Sequence, residues 1–188
     1  MTTLRRVLLA GVAMLLASTP VLADKYSDTI DLFKNAGQSS GFFSKCYGYA
    51  VFPTIGKAGL GIGGAHGEGH VYEKGKYIGD TKMTQLSFGA QAGAQGYSQM
   101  IFFEDKRAFD EFTSGNFEFG ANVGAVVITA AASGSAATSG ATGSASGGKK
   151  DAATAAQYHK GMVVFVIAKG GLMYEASVSG QKFSYKKK

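Results

Sequence analysis

Between Gly56 and Gly79 the chain places nine glycines in 24 residues. Each glycine inside a helix costs about 1 kcal/mol relative to alanine, so this stretch excludes a helix and points to extended chain and turns. The next segment is a strand by pattern. Leu86, Phe88, Ala90, Ala92 and Ala94 alternate with Ser87, Gly89, Gln91, Gly93 and Gln95, and a period of two gives one apolar face. Upstream, Tyr49-Ala50-Val51-Phe52 reads as a short strand ended by Pro53, and Met100-Ile101-Phe102-Phe103 as its returning partner. Val123 to Thr129 is a further strand. Met162–Ala168 and Leu172–Ser177, joined by Lys169-Gly170-Gly171, read as a closing hairpin.

Helical signals are fewer. Tyr26, Ile30 and Phe33 fall on one face of residues 25–36, with Lys25, Asp28, Asp31 and Lys34 around the rest. Gly37 ends that helix, and Phe42 to Tyr47 suggests a second short one. Asp105 caps another, whose stripe is Ala108, Phe109 and Phe112, with Gly115 after it. The implied class is α+β: a curved, mostly antiparallel, glycine-rich sheet, half-barrel-like, with a few helices packed on one side. Residues 130–156 are almost all Ala, Ser, Gly and Thr. They have too little apolar surface to offset ordering entropy, which implies a flexible loop within a single domain spanning 24–188.

Residues 1–23 have the form of a cleavable export signal. Arg5 and Arg6 precede an uncharged apolar run, and Val21-Leu22-Ala23 offers a small residue at the cleavage position. The run is short of the ~20 apolar residues that a membrane span needs and is broken by Pro20. The expected location is the periplasm or the outside of the cell. Without those residues the charge falls from +6 to +4, part of it in the terminal Lys186, Lys187 and Lys188. That balance suits an anionic membrane surface better than nucleic acid. Cys46, the one cysteine, reads as a small buried hydrophobe rather than a reactive thiol.

Few motifs carry chemistry. Gly59-Leu60-Gly61-Ile62-Gly63-Gly64 matches the dinucleotide pattern G-x-G-x-x-G, but no helical stripe comes after it, so no cofactor is expected. Gly143 to Lys149 resembles a phosphate loop and fails at Lys150, where a hydroxyl is required. His66, Glu68 and His70 share one face if the strand is extended, a donor set suited to zinc or iron. If the glycines around them make a turn, they are instead solvent-facing polar residues at a hairpin. No G-x-S-x-G elbow occurs, and nothing assembles a catalytic set.

The order of several short motifs resembles the SYLF domain family. They are Tyr49-Ala50-Val51-Phe52-Pro53, Gly56-Lys57-Ala58-Gly59, a glycine hairpin from Gly61 to Gly69, and Phe88 to Gln95. After them come Met100 to Phe103 with the Phe109/Phe112 helix, Gly120-Ala121-Asn122-Val123-Gly124, and Lys169 to Tyr174. The Trp-Ser pair common in the family is missing around Thr81 to Thr84. The resemblance implies a non-enzymatic, membrane-associated, lipid-binding module, with actin binding in some fungal members. It implies that an amphipathic helix ahead of the glycines contacts the membrane, which here is Lys25, Tyr26, Ile30, Phe33 and Lys34. Such a stripe can equally pack on its own sheet. For an exported bacterial protein the expected partner is anionic phospholipid of the envelope, with envelope proteins as the alternative.

Overall fold

The computed structural model describes residues 24–120, 125–128, 141–142, 156–169, 178 and 180–188. The export signal, the Leu172–Ser177 strand, the phosphate-loop lookalike and most of the 130–156 tract lie outside the described residues.

Two very long strands dominate. β1 runs Gly48–Glu73 and β2 runs Lys76–Phe103, paired antiparallel along their whole length. The loop between them is Lys74–Gly75, with φ of 48° and 81°. Two consecutive residues with positive φ match the twist of the flanking strands in a type I′ hairpin. The hairpin expected within Gly61–Gly69 is therefore displaced: those glycines are strand, and the chain reverses only after Glu73. Pro53 does not end β1 either. The strand passes it with a shift in register between Phe52 and Ile55, and Ser98 Oγ donates to the Pro53 carbonyl at 2.8 Å.

A straight strand of 28 residues would be roughly 90 Å long, against a radius of gyration of about 15 Å for a domain this size. The hairpin therefore folds over on itself, and its glycines permit this. A Cβ on Gly59 would overlap the backbone of Gly63, which marks a sharp bend. A Cβ on Gly69 would lie 2.7 Å from the Phe52 ring and 2.8 Å from the Val51 carbonyl, and one on Gly67 would lie 2.6 Å from Ile55 Cγ1. The second half of β1 thus lies against its own first half, where no larger side chain would fit.

The helices obey the capping chemistry. α1 spans Lys25–Asn35, and its cap Asp24 accepts from the Tyr26 N–H at 3.1 Å. The second helix expected over Phe42–Tyr47 does not form: a single 3₁₀ turn, Ser40–Phe42, ends at its first residue, and turns lead from there into β1. α2 spans Lys106–Thr113, with Asp105 accepting from Ala108 N–H at 2.8 Å. The short strands β3 (Asn116–Glu118), β4 (Val126–Ile128) and β5 (Ala141–Thr142) come next, then β6 (Met162–Lys169) and β7 (Gln181–Lys187). Strand β7 is not among the strands expected from the sequence. The first part of β2 carries β7 and then β3 on the edge away from β1; the last part carries β6, then β4 and β5. Only β4 against β6 is parallel among the described pairings. The sheet is open, curved and mostly antiparallel.

Strand β6 is buried on both faces through its first six residues, which explains its unbroken apolar run. On one face Phe52, Ile101, Phe103, Val164 and Phe183 pack with Phe109 and Phe112 of α2. On the other, Val51, Phe102, Phe165 and Ile167 pack with Tyr26, Ile30 and Phe33 of α1. The helices are divided between two apolar clusters rather than gathered on one side. Burying three such side chains from α1 and two from α2, at ~2 kcal/mol each, exceeds what short helices gain from propensity.

Candidate functional site

Where α1 begins, its first turn meets the second half of β1. The Tyr26 ring stacks on the His70 imidazole with centroids 3.3 Å apart and planes 9° apart. The far side of His70 meets Tyr77 of β2 at 4.4 Å. Tyr72 continues the aromatic surface by stacking on Tyr49 at 5.0 Å. Register puts Asp80 directly opposite His70. The Asp80 carboxylate accepts from Tyr77 O–H at 2.7 Å and lies 3.4 Å from His70 Nε2.

Lysines close both ends of this stack. Lys25 Nζ sits 5.1 Å over the Tyr26 ring, and Lys188 Nζ sits 4.8 Å over the Tyr77 ring. Lys188 is held there by its backbone N–H, which donates to Ile78 O at 3.0 Å. Two residues at opposite ends of the described chain thus flank one histidine. Burial lowers the His70 pKa below its ordinary value, partly offset by Asp80 and Asp24, while Lys25 and Lys188 push it further down. The hydrogen bond to Asp80 raises Tyr77 to about 12. At neutral pH the stack holds a neutral imidazole between two ammonium groups and beside one carboxylate.

The other residues singled out from the sequence are scattered. Tyr26, Ile30 and Phe33 are buried under α1, so their apolar surface faces the sheet. Lys34 lies at the far end of the helix, 3.5 Å from Asp31 and 5.8 Å over the Phe43 ring. Lys186 and Lys187 are exposed on β7, opposite Asp80 and Gly79 of β2. His66, Glu68 and His70 do share a face of β1, because the segment is extended rather than turned. Each has its own surroundings, however. Glu68 pairs with Lys82 at 3.4 Å, and His66 lies on a separate open cleft of about 570 Å³ with Ala58, Ala65, Leu86 and Lys182. Among the described residues no three His, Cys, Asp or Glu side chains converge within reach of a metal ion. Gly59 to Gly64 runs through the bend of β1, and no helix comes directly after it. Cys46 is half-buried, and burial raises its thiol to about 11.

Sequence reasoning missed Tyr72, Tyr77 and Asp80. Their signal was the alternation His70-x-Tyr72, but it becomes useful only once Lys74–Gly75 is known as the turn: counting from there pairs Tyr72 with Tyr77, and a one-residue register shift between Val71 and Tyr72 then brings Asp80, rather than Gly79, opposite His70.

A family model described as Las17-binding protein actin regulator, Ysc84, matches residues 84–188. This chain belongs to the Ysc84 (SYLF) family. In this Ysc84 chain the matched region begins within β2 and takes in α2 and every later strand, including the Lys186–Lys188 end of the site. Beta cell expansion factor A of Aeromonas veronii is 32% identical over 158 residues, which cover 82% of this chain and 51% of that protein. The Ysc84 chain therefore spans about half the length of this curated relative.

Proposed function

We propose that this Ysc84 protein is a non-enzymatic module of the bacterial cell envelope that binds anionic phospholipid at a membrane surface. The observation that carries the reading is the convergence of Lys25 with Lys188 around Tyr26, His70 and Tyr77, beside the exposed Lys186 and Lys187. Lys25 and Lys188 are exposed while resting on the outer rings of the stack, so both remain within reach of lipid phosphates. The form of residues 1–23 supports export, and membership of a family described by binding rather than by a reaction supports the absence of a catalytic role.

The test is co-sedimentation of the purified chain with phosphatidylglycerol-containing and with pure phosphatidylcholine vesicles at low and high salt. Binding to the anionic vesicles that weakens with salt is expected. Equal binding to both, or to neither, would refute it. The family description favours a second reading, in which another protein is the ligand, as Las17 is for the proteins the family is described by. Retention of an envelope protein by the chain, with vesicles left unbound, supports that reading instead.

A further inference from the structure

The folded-over end of the β1–β2 hairpin carries no charge. No Asp, Glu, Lys or Arg occurs from Ala58 to Gly67 or from Leu86 to Phe103. Large exposed hydrophobic side chains number three among the described residues: Leu32 at 45%, Ile62 at 68% and Leu86 at 75% exposure. Two of these stand together at the bend. Ile62 pairs with Phe88 and Gly64 with Leu86, so Ile62 and Leu86 are diagonal neighbours on one face, two residues apart along each strand. Apolar side chains left in water beside a bend with no charge to solvate are costly and mark a contact surface.

The surroundings indicate what covers it. Lys57 pairs with Gln95 on β2, and Lys169 pairs with the next residue, Gly96. Lys169 Nζ is held by a 2.9 Å bond to Thr54 Oγ1. On the other flank Lys182 stands opposite Thr84, 3.6 Å from its partner Glu118. An apolar tip within a collar of lysines complements an anionic bilayer, in which phosphates lie just outside the acyl boundary.

We propose that the bend of the β1–β2 hairpin is a membrane-insertion element: Ile62 and Leu86 enter the acyl boundary of an anionic bilayer while Lys57, Lys169 and Lys182 meet its phosphates. This rests on the membrane reading above and adds an orientation to it. The tip lies eight residues along β1 from His70, roughly 26 Å of extended strand. The Lys25–Lys188 cluster then sits away from the inserted end, free to meet a second lipid surface.

The chain contains no tryptophan, so a single introduced one reports its own environment. Three variants, Ile62→Trp, Leu86→Trp and Leu32→Trp, are mixed with phosphatidylglycerol/phosphatidylcholine vesicles carrying bromine on the acyl chains. Blue-shifted, quenched emission is expected from Ile62→Trp and Leu86→Trp and not from Leu32→Trp. The double variant Ile62→Ser/Leu86→Ser should bind vesicles more weakly by about tenfold for each residue lost, with an unchanged melting curve. If the chain binds vesicles while both tip reporters stay unquenched, or while only Leu32→Trp is quenched, the insertion element is wrong and membrane binding stands. If the unaltered chain binds no vesicles, both readings fall. Emission that shifts with protein concentration in the absence of vesicles would make a second copy of the chain the cover and overturn the proposal.

Discussion

Replacing Gln181 with methionine should destabilise the fold far more than its single side chain suggests. Gln99 and Gln181 are each 0% exposed, and their amides bond reciprocally: Gln99 Nε2 donates to Gln181 Oε1 at 2.9 Å, and Gln181 Nε2 donates back at 3.1 Å. Gln181 Nε2 also lies 3.2 Å from Tyr97 Oη. Gln181 pairs in the sheet with Gln85, whereas Gln99 stands 14 residues further along β2. The amide pair therefore bridges the two halves of the folded hairpin. Gln181→Met strands the Gln99 amide in a dry interior, and an orphaned buried polar group costs about 1–3 kcal/mol. With Tyr97 also losing a partner, a total of about 3 kcal/mol is expected, or roughly 6–12 °C in Tm. Gln99→Met should cost about the same. The double variant leaves no orphaned amide and replaces both with unbranched apolar chains, so it should lie within about 1–2 kcal/mol of the parent. Urea unfolding of all four proteins gives the coupling energy, expected at about 3 kcal/mol or more. Additive losses, with coupling below about 0.5 kcal/mol, would falsify the bridge.

Three other outcomes rest on the same geometry. Because the folded structure holds His70 below its ordinary pKa, its contribution to stability is complete above the unfolded value of about 6.5 and declines as pH falls towards the depressed value. Melting curves from pH 8 to pH 5 should show this decline, flattened in His70→Gln; an equal slope in both sinks the assignment. Gly69→Ala should cost about 1–3 kcal/mol, since its Cβ would press on the Phe52 ring and the Val51 carbonyl, whereas Gly56→Ala, with nothing within 4 Å, should be near neutral by calorimetry. The Cys46 thiol, raised to about 11, should react with a disulfide reagent at pH 8 at well under a tenth of the rate seen after unfolding in guanidinium.

Local features were the legible ones in the sequence. The Asp105 cap and the Phe109/Phe112 stripe produce α2 because capping and stripe lie within eight residues of each other. Met162–Ala168 is a strand because a short, unbroken apolar run has few other uses. The length of β1 was hidden for a physical reason. Glycine serves turns and close backbone approach alike, and nothing local tells Gly67, which lies against Ile55, from Gly75, which makes the turn. Strand β7 was hidden differently. Gln181-Lys182-Phe183-Ser184-Tyr185 alternates in period two, but the lysines after it read as a solvated tail until β2 and β3 are present to pair with it. The candidate site joins Lys25, His70, Tyr77 and Lys188, and its composition depends on that late pairing.

Lys25 and Lys188 are separated by three successive rings, Tyr26, His70 and Tyr77, so the beginning and end of the described domain come out at one place. A short flexible linker between them would close the chain into a ring without disturbing either apolar cluster. New ends could then be cut at Lys74–Gly75, where the turn touches the body through Lys74 N–H to Tyr47 O. The permuted protein should keep the fold, because every strand pairing survives the rearrangement. By the same geometry the domain can be spliced into a surface loop of another protein as a plug-in unit, entering and leaving through adjacent points.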